Sequence, residues 1–121
     1  MTANRSFAGD ADLDHANVAE VVDQWLARGV DGIVAYNDDI AATIIGAALR
    51  AGVAVPQQLK VVGHDDSPLA SLFVPSLSSV RVDSAGLGRY LARLALSAAT
   101  GSPPPAAGPD TDAVLILRET T

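Results

Sequence analysis

Apolar and polar positions along the chain alternate between two repeats. Between residues 12 and 28, Val18, Val22, Trp25 and Leu26 recur on one face at the helical period, predicting a helix that Gly29 stops. Gly32-Ile33-Val34-Ala35-Tyr36 is too short for a helix and reads as a buried strand. Asn37-Asp38-Asp39 then offers N-cap oxygens and first-turn carboxylates to the Ala- and Ile-rich run from Ile40 to Ala51. That helix ends at Gly52, and Pro56 bars its continuation. Leu59 to Gly63 is a second strand, followed by a turn at His64-Asp65-Asp66-Ser67-Pro68.

Val74 to Ser79 is irregular, and Ser79 to Val82 forms a short strand. Asp83 or Ser84 can cap a third helix through Leu87, Tyr90, Leu91 and Leu94, closing at Gly101. The run from Gly101 to Asp112 is a linker, because its prolines cannot donate to a helix or a central ladder. It leads to a last strand over 113–119. With room for one more strand ahead of the first helix, this alternation predicts an α/β fold: three layers, a mostly parallel sheet with flanking helices.

Composition sharpens that picture. The chain has 121 residues, enough to bury a core. It is 49% hydrophobic but only 4% aromatic, so the core must be built from Ala, Val, Ile and Leu. Cysteine is absent, which removes disulfides and thiolate metal sites together. The formal charge is −6, with Lys60 the single lysine and the arginines unclustered, so the chain by itself is a poor binder of nucleic acid. No apolar run reaches membrane-spanning length. The first ten residues lack the apolar core of a signal peptide, so a cytoplasmic location is expected.

The candidate chemistry gathers at two turns. His64, Asp65 and Asp66 suggest a metal site, but neighbouring strand residues point to opposite faces, so His64 and Asp65 should not converge on one ion. His15 and His64 are the only histidines, and neither lies in a nucleophile elbow or phosphate loop, so no enzyme is expected. Position says more. Asn37 and Asp65 both fall just past the carboxyl end of a strand, the edge where open parallel sheets bind ligands. Asn supplies donor and acceptor together and an ionised Asp accepts from two hydroxyls, a pairing suited to a sugar, polyol or nucleoside. The plainer alternative makes Asn37 an N-cap and Asp65 the start of a turn.

Consecutive motifs between Tyr36 and Thr121 resemble the LacI/GalR family of bacterial transcriptional regulators. They are Tyr36-Asn37-Asp38 before an Ala-rich helix, the run from Ala51 to Asp66 ending in Val-Val-Gly-His-Asp-Asp, Pro75 to Val80, Leu87-Gly88, and Leu115 to Thr121. Residues 8–36 match more loosely.

The resemblance implies a periplasmic-binding-protein-like fold, two α/β lobes holding an effector between them, with a helix-turn-helix ahead of the lobes that binds DNA. On that match, residues 1–82 form part of the second lobe. Residues 83–121 form a crossover helix, linker and final strand returning to the first. By the same match Asn37 and Asp65 are effector-binding, Asp66 is a structural turn carboxylate, and Asp12, with Asp10, is a weaker ligand candidate where relatives carry an aromatic. His64 stands where Phe or Tyr is usual.

The family's dimer surfaces correspond to Ala41, Ile44, Ile45 and Ala48, then Leu69, Leu72 and Leu77, with ordinary core packing the alternative for these residues. The helix-turn-helix, most of the first lobe and the family's cleft arginine are not represented. The expected function is therefore an effector-sensing and dimerisation fragment of a regulator: a homodimer taking a sugar or polyol, with no cofactor and no membrane partner, reaching DNA only through a domain outside these residues. A transport-type sugar-binding protein of the same fold is the alternative.

Overall fold

The computed structural model describes Leu13, residues 16–106, Gly108 and residues 112–121. The elements run α1 (Val18–Ala27), β1 (Gly32–Val34), α2 (Asp38–Arg50), β2 (Lys60–His64), β3 (Ser78–Arg81), α3 (Ser84–Thr100) and β4 (Val114–Ile116). The strands form one sheet in the order β1-β2-β3-β4. β1 pairs with β2 in parallel, and β2 with β3 in parallel, as expected of an α/β fold with a mostly parallel sheet. A strand ahead of α1, together with residue 12, lies outside the described residues.

Two compact units share the chain, one running to Val80 and resuming at Leu115–Thr121, the other Arg81–Val114. In the first unit, α2 packs against α1 and β2. Its Ala41, Ile44, Ile45 and Ala48, spaced three and four apart, form one buried stripe. Val18 and Val22 of α1, Leu59, Val61, Ala70 and Leu77 complete the core. Ile44, Leu59 and Leu77 are almost wholly buried. Side chains of that size contribute about 1.5–3 kcal/mol each on leaving water. Aliphatic side chains supply this core, with Trp25 and Phe73 only partly buried at its margin.

Two local expectations need correction. α1 begins at Val18 rather than near residue 12, because Ala16 and Asn17 form a turn, a conformation that Asn's short polar side chain favours over a helix interior. β1 is three residues long and is not buried. Among the described residues β2 is its one strand partner, and only Ile33 and Ala35 turn inward while Val34 and Tyr36 stand open at 79% and 87% exposure. Leu115–Thr121 cluster with the first unit, where backbone and side-chain hydrogen bonds to Ser76, Ser78 and Val61 hold them.

In the second unit, Asp83 caps α3 by accepting from the Gly86 amide at 2.9 Å, and Gly101 ends the helix in the left-handed region at φ 71°. Ser97 is buried and donates to the Ser102 carbonyl at 2.5 Å, folding the start of the Pro-rich segment back onto the helix end. Among the described residues no helix is long and apolar enough to cross a membrane.

Candidate functional site

β1 and β2 end side by side. Val34 pairs with Val62, and Asn37 and Asp65 each lie three residues beyond that last pair, so register alone sets the two turns next to each other. Their side chains are used differently. Asn37 Oδ1 accepts from the Ile40 amide at 2.9 Å and caps α2, which leaves the side-chain NH2 outside the cap. The N-cap expectation therefore holds for Asn37, which is half-buried and is not among the described residues lining the crevice at this edge of the sheet. Asp65 is exposed, and its Oδ1 lies 2.8 Å from His64 Nδ1.

That contact overturns the expectation that His64 and Asp65 point apart. Strand alternation ends at His64: Asp65 takes φ 93° and Asp66 φ 47°, backbone regions that non-glycine residues rarely adopt. The positive φ turns the Asp65 side chain back beside the imidazole. Val34, Ala35, Tyr36, His64 and Asp65 line one crevice of about 430 Å³ at this edge of the sheet. Tyr36 is therefore a site-lining residue that sequence reasoning passed over. Its place at the strand end was the only signal available.

A buried polar network holds the strained turn. Asp38 is 2% exposed, and its carboxylate accepts from Ser79 Oγ and from the Ser67 amide, both at 2.6 Å. Ser79 Oγ in turn accepts from the Asp66 amide at 3.0 Å, and the Asp65 amide donates to the Val80 carbonyl at 2.9 Å. Asp66 Oδ1 pairs with Arg118 Nη2 at 2.7 Å, and Arg118 Nη1 donates to the Leu77 carbonyl at 2.7 Å. A structural role for Asp66 is what this geometry provides. Gly63 makes the arrangement possible, since a Cβ there would overlap Asp38 Oδ1 and press on Leu77 Cδ2 at 3.1 Å.

The segment after β4 finishes the network. The Arg118 amide donates to Ser78 Oγ at 2.7 Å, the Ser78 amide to Thr120 Oγ1 at 2.9 Å, and Thr120 Oγ1 to the Val61 carbonyl at 2.7 Å. Ser78, Ser79 and Thr120 are fully buried, so every hydroxyl in the set needs, and has, a partner. Further out, Glu119 Oε2 accepts from the Ser76 amide at 2.6 Å, and that hydrogen bond holds the Glu119 carboxyl below its ordinary value.

Ala41, Ile44, Ile45, Ala48 and Leu77 lie within the monomer's own core, whereas Leu69 and Leu72 stand exposed at 54% and 72%. Asp10 and Asp12 lie outside the described residues. A larger cavity, about 760 Å³, occurs in the second unit between α3 and the Pro-rich segment, with Arg89, Tyr90, Arg93 and Ser102 in its lining; neither Asn37 nor Asp65 borders it. Among the described residues no cluster of three or more His, Cys, Asp or Glu is placed to hold a metal ion.

The chain matches the periplasmic binding protein-like domain family over residues 2–121. It is 45% identical over 84 residues to the HTH-type transcriptional regulator AscG of Escherichia coli, covering 68% of this chain and 25% of that protein. A LacI-family regulator from Arthrobacter sp. FB24, solved in complex with lactose, superposes with a TM-score of 0.71 at 30% identity, covering 92% of this chain and 43% of that one. A CelR–cellobiose complex superposes with a TM-score of 0.76 at 26% identity, covering 92% and 35%. The chain spans between 20% and 31% of the length of the first curated relatives it matches.

Proposed function

The chain belongs to the periplasmic binding protein-like domain family, in the form carried by LacI/GalR transcriptional regulators, and from that premise we propose that it is an effector-sensing part of such a regulator. Binding, not catalysis, is the chemistry of this family. The ligand is a sugar or polyol, received by Asp65 from the end of β2 and by the Asn37 side-chain amide from the end of β1. Residues 1–82 are the second-lobe part of the module, and residues 83–121 are the crossover helix, Pro-rich linker and final strand that return to the first lobe.

One observation carries the reading. Asp65 is held at φ 93° by a buried network while its carboxylate stays 64% exposed in a crevice at the carboxyl edge of a parallel sheet. A strained, over-determined backbone that presents an open acceptor suits ligand capture better than mere chain reversal. The lactose and cellobiose bound by two similar regulators support the ligand class.

Dimerisation rests on Leu69 and Leu72, exposed in the turn-rich segment after Asp66. A homodimer would cover them, and DNA contact would come from a helix-turn-helix elsewhere in the regulator. The cytoplasm is the corresponding location.

Thermal unfolding against neutral sugars and polyols, with Asp65→Ala beside the wild type, tests the proposal. A ligand at about 100 times its Kd should add roughly 2.7 kcal/mol to the native state. The expected result is a rise in Tm with one sugar class that is lost in Asp65→Ala. A flat panel, or a shift that survives Asp65→Ala, refutes the assignment.

A further inference from the structure

Resting on that reading, we propose that His64 is a second ligand-contacting residue, and that the His64–Asp65 pair selects an uncharged vicinal diol over an anionic ligand. The argument starts from the 2.8 Å contact between His64 Nδ1 and Asp65 Oδ1. An ionised carboxylate can only accept, so Nδ1 must carry the proton in this contact. In the neutral imidazole, Nε2 is then an acceptor.

With the imidazole neutral, two acceptors remain at this edge, Asp65 Oδ2 and His64 Nε2, on side chains 64% and 42% exposed that line one crevice. Paired acceptors call for paired donors, and adjacent hydroxyls on a sugar ring supply them. Tyr36, 87% exposed on the same crevice, adds an aromatic body and a hydroxyl.

Charge sets the second half of the selection. Val34, Ala35, Tyr36, His64 and Asp65 include no arginine or lysine, and the chain carries a formal charge of −6. A phosphate or carboxylate in this crevice would face the Asp65 carboxylate with no arginine or lysine among the described lining residues to offset it. The site therefore takes neutral sugars and rejects their phosphorylated or acidic counterparts.

The experiment is calorimetric titration of the 121-residue chain with D-ribose, D-galactose, lactose, cellobiose and D-glucose 6-phosphate, for wild type, His64→Phe and His64→Gln. Nitrogen-15 NMR of the imidazoles is run in parallel, with His64→Phe assigning the signals of the two histidines. The expected result is binding of at least one neutral sugar, weakened about tenfold or more in His64→Phe and largely restored in His64→Gln, whose amide again offers a donor and an acceptor. Glucose 6-phosphate should bind at least about tenfold more weakly than that sugar.

NMR should show the Nδ1-protonated tautomer of His64 in the wild type. Wild-type affinity in His64→Phe, equal binding of the sugar phosphate, or an Nε2-protonated His64 would each overturn this inference and leave the sensing role standing. Binding of no sugar by the wild type would overturn both.

Discussion

Ser79 Oγ donates to Asp38 Oδ1 at 2.6 Å, joining the middle of β3 to the first residue of α2 across 41 positions of chain. Both residues are buried, so neither has water to fall back on. Ser79→Ala should therefore cost about 1–3 kcal/mol, since it strands a carboxylate oxygen and also removes the acceptor of the Asp66 amide. Urea unfolding followed by far-UV circular dichroism measures it. A loss within about 0.5 kcal/mol, typical of an unremarkable surface site, would show the network to be dispensable.

Gly63→Ala puts a methyl group where Asp38 Oδ1 sits. Overpacking of this kind costs about 1–3 kcal/mol, and here the backbone of Asp38, 3.2 Å from the added Cβ, limits relief. Relief should come from shortening the neighbour. In a double-mutant cycle with Asp38→Ala the two losses should fall short of additivity by more than about 0.5 kcal/mol. Strict additivity would place the cause outside this pair.

Arg118→Met removes the partner of Asp66, whose side chain is 6% exposed, while keeping much of the aliphatic volume. Removing one partner of a buried ion pair costs about 3–5 kcal/mol, and the 18% exposure of Arg118 points to the lower end. Asp66→Asn on the Arg118→Met background should recover part of the loss, because it removes the stranded charge. Chemical denaturation of both variants decides the matter, and failure of the second change to recover stability would count against the ion pair as the cause.

Glu119 gives a pH test. The Ser76 amide favours the charged carboxylate, so the folded-state pKa lies below the unfolded one. The contribution is then present above the unfolded value and is lost as pH falls through the folded value. Glu119→Gln should lower Tm most near neutral pH, and the gap from wild type should close as pH falls from about 6 to about 3. A gap independent of pH would show that the charge of Glu119 is not what Ser76 stabilises.

Local signals were legible in the sequence wherever the physics was local. Asn37 caps α2, Asp83 caps α3 and Gly101 closes it, each within four residues of the partner it serves. The residues of the α2 stripe, Ala41, Ile44, Ile45 and Ala48, were marked by the family resemblance rather than by a local signal, and they lie buried in the monomer. What escaped was set by distant chain. Asp38 reads as one of two first-turn carboxylates, and nothing nearby distinguishes it from exposed Asp39; its burial comes from Ser67 and Ser79. Arg118 reads as one more dispersed cation until the fold brings it to Asp66. The His64–Asp65 contact escaped for a different reason, since strand alternation was carried one residue past the point where φ changes sign.

The bonds from Arg118 and Thr120 to Asp66, Ser78 and Val61 also impose an order in time. A ribosome adds residues in sequence, so the turn carrying Asp65 emerges some 50 residues before the arginine that locks it. Until Arg118–Thr120 have cleared the exit tunnel, Asp66 and Ser78 lack partners that they have in the native fold. The turn carrying Asp65 therefore gains these partners only after Arg118–Thr120 have emerged. A nascent chain stalled before residue 118 would carry Asp65 and His64 without the Arg118 and Thr120 contacts that brace their turn.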